Sequence, residues 1–150
     1  SSHTDHLWTT PFLKVVHDEA SLYRFEKTQV LASEPLAQKH LRVCFQRRID
    51  QLNCSVCEKC IRTMIALDAS GLLENFETFD HITPLWKRID AIPRIPTGLS
   101  MLYSNHLKDG NHGEAVTGAI ERLIERTQQP PRRSLKRLLP RFLRPRGGQA

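Results

Sequence analysis

No apolar run of about 18 residues occurs anywhere in the chain, so a transmembrane helix is not expected. There is no H-E-x-x-H, no G-x-S-x-G and no glycine-rich phosphate loop. Those absences remove the commonest zinc-hydrolase, serine-hydrolase and P-loop readings. The opening residues, Ser1-Ser2-His3-Thr4-Asp5-His6, are polar, so no secretory leader is read there. The chain also lacks a starting methionine, as expected of a processed product, a domain or a fragment of a longer protein. Strand-forming sequence is scarce, and no internal repeat is evident. Acids are absent from residues 128–150, while Arg132, Arg133, Lys136, Arg137, Arg141, Arg144 and Arg146 all lie there.

That last asymmetry explains the charge. The net charge is +6, but the segment 128–150 alone carries +7, which leaves the body at −1. The basic character belongs to the tail and is no whole-protein mark of nucleic-acid binding. With 150 residues, 39% hydrophobic and 25% charged, the composition suits about one compact domain.

Along the chain, Pro11-Phe12-Leu13-Lys14-Val15-Val16 is the best strand candidate, with proline at its edge. A helix is expected from about Ser21, as N-cap, to Leu31. Pro35 fits the first turn of a second short helix. Leu41 to Phe45 reads as a short strand or extended arm, and Gln46 to Asn53 as a loop. A firm helix begins near Cys57, with Ile61, Met64, Ile65 and Leu67 on its apolar side and Gly71 as its stop. Leu72, Leu73, Phe76 and Phe79 suggest a further helical stretch. Prolines at 84, 93 and 96 limit residues 81–100 to turns and short helical pieces. Another helix opens near Leu99 and ends at Asp109-Gly110-Asn111. Residues 113–127, with Ala115, Val116, Ala119, Ile120, Leu123 and Ile124, form the clearest helical pattern. The fold class read from this is mainly α. A lone strand near residues 12–16 wants partners that this chain does not supply, which points to a sheet outside it.

The four cysteines, Cys44, Cys54, Cys57 and Cys60, are spaced C-x9-C-x2-C-x2-C. Two residues between cysteines let one turn aim both sulfurs at a single ion. Cys57 and Cys60 share a face at a helix start, where the helix dipole favours thiolate. Without a secretion signal, such a cluster reads as metal ligands in a reducing cytoplasm rather than as two disulfides. Structural zinc is the leading assignment, and four protein ligands leave no open position for catalysis. An iron–sulfur cluster and redox-active or unpaired thiols are the competing readings. The ferredoxin pattern wants cysteine and proline where Met64 and Ile65 stand. A thioredoxin-like βαβ unit is absent. Four thiolates on zinc carry −2, which Arg47, Arg48, Lys59 and Arg62 are placed in sequence to offset.

The segment Leu41-Arg42-Val43-Cys44, followed by Asn53-Cys54-Ser55-Val56-Cys57-Glu58-Lys59-Cys60-Ile61-Arg62-Thr63, resembles a known zinc site. It is similar to the C-terminal site of PP-loop ATP pyrophosphatases. The likeness is greatest to the cyano-deazaguanine synthase branch, which makes queuosine precursors, and to uncharacterised bacterial relatives of it. Leu7 to Pro11, His17-Asp18 and Arg24-Phe25-Glu26-Lys27 resemble the segment preceding that site. The resemblance covers about residues 1–75, is specific mainly at 41–63, and leaves 76–150 unplaced. It implies that residues 1–40 end an α/β, Rossmann-like PP-loop domain. Residues 41–127 then read as the zinc-site and helical region, and the composition of 128–150 reads as a flexible basic tail. The resemblance also implies ATP with Mg2+ in an N-terminal half that is missing here, and adenylylation followed by amidation or ligation. The Ser-Gly-Gly-x-Asp-Ser loop that chemistry requires is absent, and Asp68-Ala69-Ser70-Gly71 is a helix end. This chain alone is therefore not expected to be active, and it contains no catalytic residue on this reading.

Arg24 and Lys27 lie three apart on a helix, where both can address phosphate or an acidic substrate. The plainer alternative is a solvated helix face. His17 with Asp18 suggests a base and its orienting carboxylate, yet neighbours in an extended segment point to opposite sides. His3, His6, His106 and His112 are read as structural or solvated. The tail intersperses Leu135, Leu138, Leu139, Phe142 and Leu143 with cations. Disorder is the plain reading, an anionic membrane surface the next and nucleic acid the last. A free-standing zinc module that binds a partner is the alternative to the ATPase kinship.

Overall fold

The computed structural model describes residues 3–17, 21–46 and 50–129. Six α-helices are found among them: α1 (Arg24–Ala32), α2 (Pro35–His40), α3 (Glu58–Asp68), α4 (Leu85–Ala91), α5 (Ser100–Asp109) and α6 (Glu114–Gln128). Three single 3-10 turns, Asp5–Trp8, Leu73–Asn75 and Thr97–Leu99, join them. No strand occurs among the described residues, so the mainly helical expectation stands.

α3 is the central helix. It buries Cys60, Ile61, Thr63, Met64, Ile65, Ala66 and Leu67, which is nearly its whole circumference. A helix apolar on most sides must be enclosed, and α1, α4 and α5 pack on it while α6 packs on α4 and α5. Cys57, in extended conformation, precedes its first turn. Its end is a Schellman motif: Leu72 N–H donates to Leu67 C=O (3.3 Å) and Gly71 N–H to Asp68 C=O (2.8 Å). Gly71 sits at φ 69°, the left-handed region where glycine costs least, as the sequence predicts.

Several local expectations need correction. Residues 11–16 form no strand. Thr10 and Leu13 exchange N–H···O bonds of 2.8 and 3.3 Å, which folds Pro11 and Phe12 into a tight turn. Pro11 suits that turn because its ring presets φ, and Thr9 Oγ1 accepts from Val15 N–H at 3.1 Å. α1 is preceded by Tyr23, not Ser21, because Glu26 accepts the Tyr23 N–H (2.6 Å) and so fixes the first turn. Leu41–Phe45 is assigned neither helix nor strand among the described residues. The stretch 72–79 is not an α-helix. Leu73, Phe76 and Phe79 repeat every third residue, the 3-10 spacing, and Phe76 N–H donates to Leu73 C=O at 3.0 Å. Residues 81–100 do hold short helical pieces, as expected: α4, preceded by Pro84, and the single turn Thr97–Leu99.

α4 and α6 are also tied by charge. Arg122 donates to both oxygens of Asp90 (3.0 and 2.6 Å), and this pair holds the Asp90 carboxyl below its usual range. Arg126 donates to Ile92 C=O at 3.1 Å.

The α3–α5 contact contains two buried histidines. The His106 ring meets Phe25 edge-on at 5.1 Å and Tyr103 at 6.2 Å. His112 Nδ1 bonds the Asp68 carboxylate at 2.7 Å. Burial, reinforced by His112, pulls the His106 pKa down to about 4, so the ring is neutral at pH 7. The unfolded chain titrates near 6.5 and binds more protons between those values. Stability is therefore fully present above about pH 6.5 and is lost as pH falls toward 4. The shift corresponds to roughly 3 kcal/mol. Urea titrations of the metal-loaded chain at pH 7 and pH 5 should show that slope on top of the one from the cysteines, and His106→Leu should make the total shallower. An unchanged slope in the variant contradicts the assignment.

Candidate metal centre

Three separate segments deliver the cysteines: the extended arm ending at Cys44, the loop carrying Cys54, and the first turn of α3 with Cys57 before it and Cys60 within it. The four Sγ atoms lie within 4.8 Å of one another. Cys44 Sγ and Cys57 Sγ are 3.9 Å apart, and Cys54 Sγ and Cys60 Sγ 3.8 Å. Metal–sulfur bonds of about 2.3 Å in a tetrahedron set edges of about 3.8 Å. The donors are thus spaced for one ion. A cluster, in which each cysteine binds a different iron, separates them further. All four cysteines are free of disulfides. They can hold a metal ion, and the sequence expectation for these residues agrees with their placement.

Backbone donors prepare the sulfurs. Gln46 N–H donates to Cys44 Sγ and Cys57 N–H to Cys54 Sγ, both at 3.3 Å. Burial pushes the Cys44 thiol up, but N–H donors from Cys54 and Gln46 outweigh it and bring the pKa down to about 7. Burial pushes Cys57 up. It pushes Cys60 up further, helped by the neighbouring Cys57 sulfur. Only a cation of high charge draws all four into thiolate form, so binding expels protons and weakens as pH falls.

Two residues that sequence reading did not assign hold the frame. Asn53 is buried, and its side chain makes four bonds. Its Oδ1 accepts from Val43 N–H (2.9 Å) and Cys44 N–H (3.2 Å); its Nδ2 donates to Leu41 C=O (2.7 Å) and Thr78 Oγ1 (3.0 Å). One amide therefore sews the Cys44 arm to the Cys54 loop. Asparagine just before a cysteine pair was the available signal. Arg88, on α4, is the second. It donates to Ser55 C=O (2.9 Å), Thr83 C=O (3.0 Å) and Asp80 C=O (3.1 Å), and pairs with the Asp80 carboxylate. Ser55 itself stands at φ 55°, an uncommon value for a residue with a Cβ. Its Oγ accepts from Asp80 N–H at 2.9 Å, which helps hold it there. Nothing local in the sequence links Arg88 to a loop 33 positions earlier.

Of the cations expected to offset the thiolates, Lys59 lies beside the site with its Nζ 3.6 Å from the Phe45 ring centroid. Arg62 faces Glu58 at 3.3 Å. Arg47 and Arg48 lie outside the described residues. Glu58 also accepts from Tyr103 OH (3.2 Å), which anchors α5 on the first turn of α3. Arg24 and Lys27 do share one cleft, with Leu31, Leu41 and Val43 on its apolar side. His17 pairs with Asp5, and Asp18 and the basic tail lie outside the described residues. No described helix is long and apolar enough to cross a membrane.

Comparison with protein-family models, with curated proteins and with solved structures returns no match.

Proposed function

We propose that this chain is a structural zinc region of a PP-loop ATPase-like protein. The observation that carries the zinc part is the cysteine quartet, whose sulfur spacing fits one tetrahedral ion and whose four ligands fill every position. Such a site stiffens rather than reacts. Zinc is preferred because it accepts four thiolates without redox chemistry in a reducing cytoplasm.

The kinship rests on the segment 41–63 and on one further observation. Leu7, Trp8, Phe12, Leu13 and Val16 are all exposed, Phe12 at 99%. An apolar arm of this kind wants a cover, and a sheet of a nucleotide-binding half would supply one. On this reading the parent binds ATP with Mg2+, adenylylates an oxygen of its substrate and lets a nucleophile displace AMP. The chain itself contributes rigidity beside that centre, and Arg24 and Lys27 face the substrate side.

The alternative is a free-standing zinc module, favoured by the closed core that α3, α4, α5 and α6 build together. ATP–pyrophosphate exchange separates the two. A polypeptide joining this chain to an in-frame upstream Ser-Gly-Gly-x-Asp-Ser segment should exchange label, and this chain alone should not. The absence of any such segment from the reading frame would leave the module reading in place.

A further inference from the structure

Beside the zinc site lie two adjoining clefts of about 400 Å3 each, which share Arg24 and Val43. Their cations are Arg24, Lys27, Arg42 and Lys59, and no carboxylate lines either cleft. Among the described residues none of these four forms an ion pair, whereas Arg62, Arg88, Arg122 and Arg126 all have carboxylate partners. Four thiolates on a divalent ion carry −2, so the zinc site neutralises only half of this charge. The remaining charge makes the groove attractive to an anion.

Phe45 supplies the second observation. Its ring is 80% exposed and stands at the cleft edge next to Cys44. The Lys59 ammonium covers one face at 3.6 Å from the centroid. A cation on one face leaves the other open for a planar group. Exposed aromatics beside unpaired cations are how proteins hold a base together with its phosphate.

We propose that this groove binds a nucleotide unit, with phosphate on Arg24, Lys27 and Arg42 and the base on the open face of Phe45. The proposal does not depend on the ATPase kinship. The same chemistry is offered by a free nucleotide and by a nucleic-acid strand, and the choice of probes distinguishes them.

The test is isothermal titration of the zinc-loaded full chain at low ionic strength. The probes are adenosine 5′-diphosphate, inorganic pyrophosphate and a hexauridylate. The diphosphate nucleoside should bind about tenfold tighter than pyrophosphate, and Phe45→Ala should erase that difference. Arg42→Glu and Lys27→Glu should each weaken binding about tenfold or more, and added salt should weaken it further. Arg42 and Phe45 are exposed, so zinc content should stay unchanged and report an intact fold. Tighter hexauridylate binding with the same variant pattern identifies a strand as the ligand; tighter nucleoside diphosphate binding identifies a free nucleotide. The proposal is overturned if no probe binds, if pyrophosphate equals the nucleotide, or if all three substitutions leave binding intact. The last result would place the probe on the basic segment 130–150.

Discussion

Stripping the metal with a strong chelator should unfold residues 41–70 and carry much of the helical signal with it. The cause lies in what the ion joins. Cys44, Cys54 and Cys60 are buried, and their sulfurs are where the arm 41–46, the loop 53–57 and the start of α3 meet. Structural zinc sites supply on the order of 10 kcal/mol of binding free energy, comparable to the whole stability of a small domain. Without the ion, four sulfurs within 4.8 Å are left as buried thiols or repelling thiolates. α3 is the helix on which α1, α4 and α5 rest, so its first turn cannot loosen alone. Circular dichroism and limited proteolysis read the change. Full helicity after verified metal loss would contradict this account.

Replacing Arg88 by alanine should be the most damaging substitution outside the cysteines. The guanidinium is buried, and it satisfies three backbone carbonyls and the Asp80 carboxylate at once. Asp80 is itself held below the usual carboxylate range, first by the Ile82 N–H and then by Arg88. Asp80 is exposed, so the cost comes from the carbonyls left unpaired, about 1–3 kcal/mol for each that is buried. The loss reaches the metal because Ser55 C=O, between Cys54 and Cys57, is one of the three carbonyls. Partners that orient ligands typically change metal affinity by about 10–100-fold. Urea unfolding and competition against a chromophoric chelator should both move. Arg88→Lys should not rescue them, since an ammonium cannot reproduce the planar fork that reaches all four acceptors. Wild-type zinc affinity in Arg88→Ala would detach Arg88 from the site.

Much of this arrangement was legible in the residues, for reasons specific to each part. The cysteine spacing carries its own geometry, because two intervening residues form one turn. α3 and α6 were legible because their apolar residues repeat at helical spacing and Gly71 and Gly110 follow the ends of α3 and α5. The stretch 11–16 misled, since a short apolar run behind a proline cannot distinguish a strand from a turn when the pairing partner is not local. The stretch 72–79 misled because a three-residue apolar period resembles a helix until the hydrogen bonds are seen. Arg88 was not legible at all, and of the cationic groove only the Arg24 and Lys27 pair was read as a phosphate contact. Arg24, Lys27, Arg42 and Lys59 come from α1, the arm and α3, and only the tertiary fold places them along one groove.

The central claim is that these cysteines hold one zinc ion as a structural tie. Elemental analysis of anaerobically purified protein by inductively coupled plasma mass spectrometry, beside Cys54→Ser, tests it most directly. The account predicts about one zinc per chain, lost in the variant. Iron, with or without sulfide, or no metal at all, would contradict it.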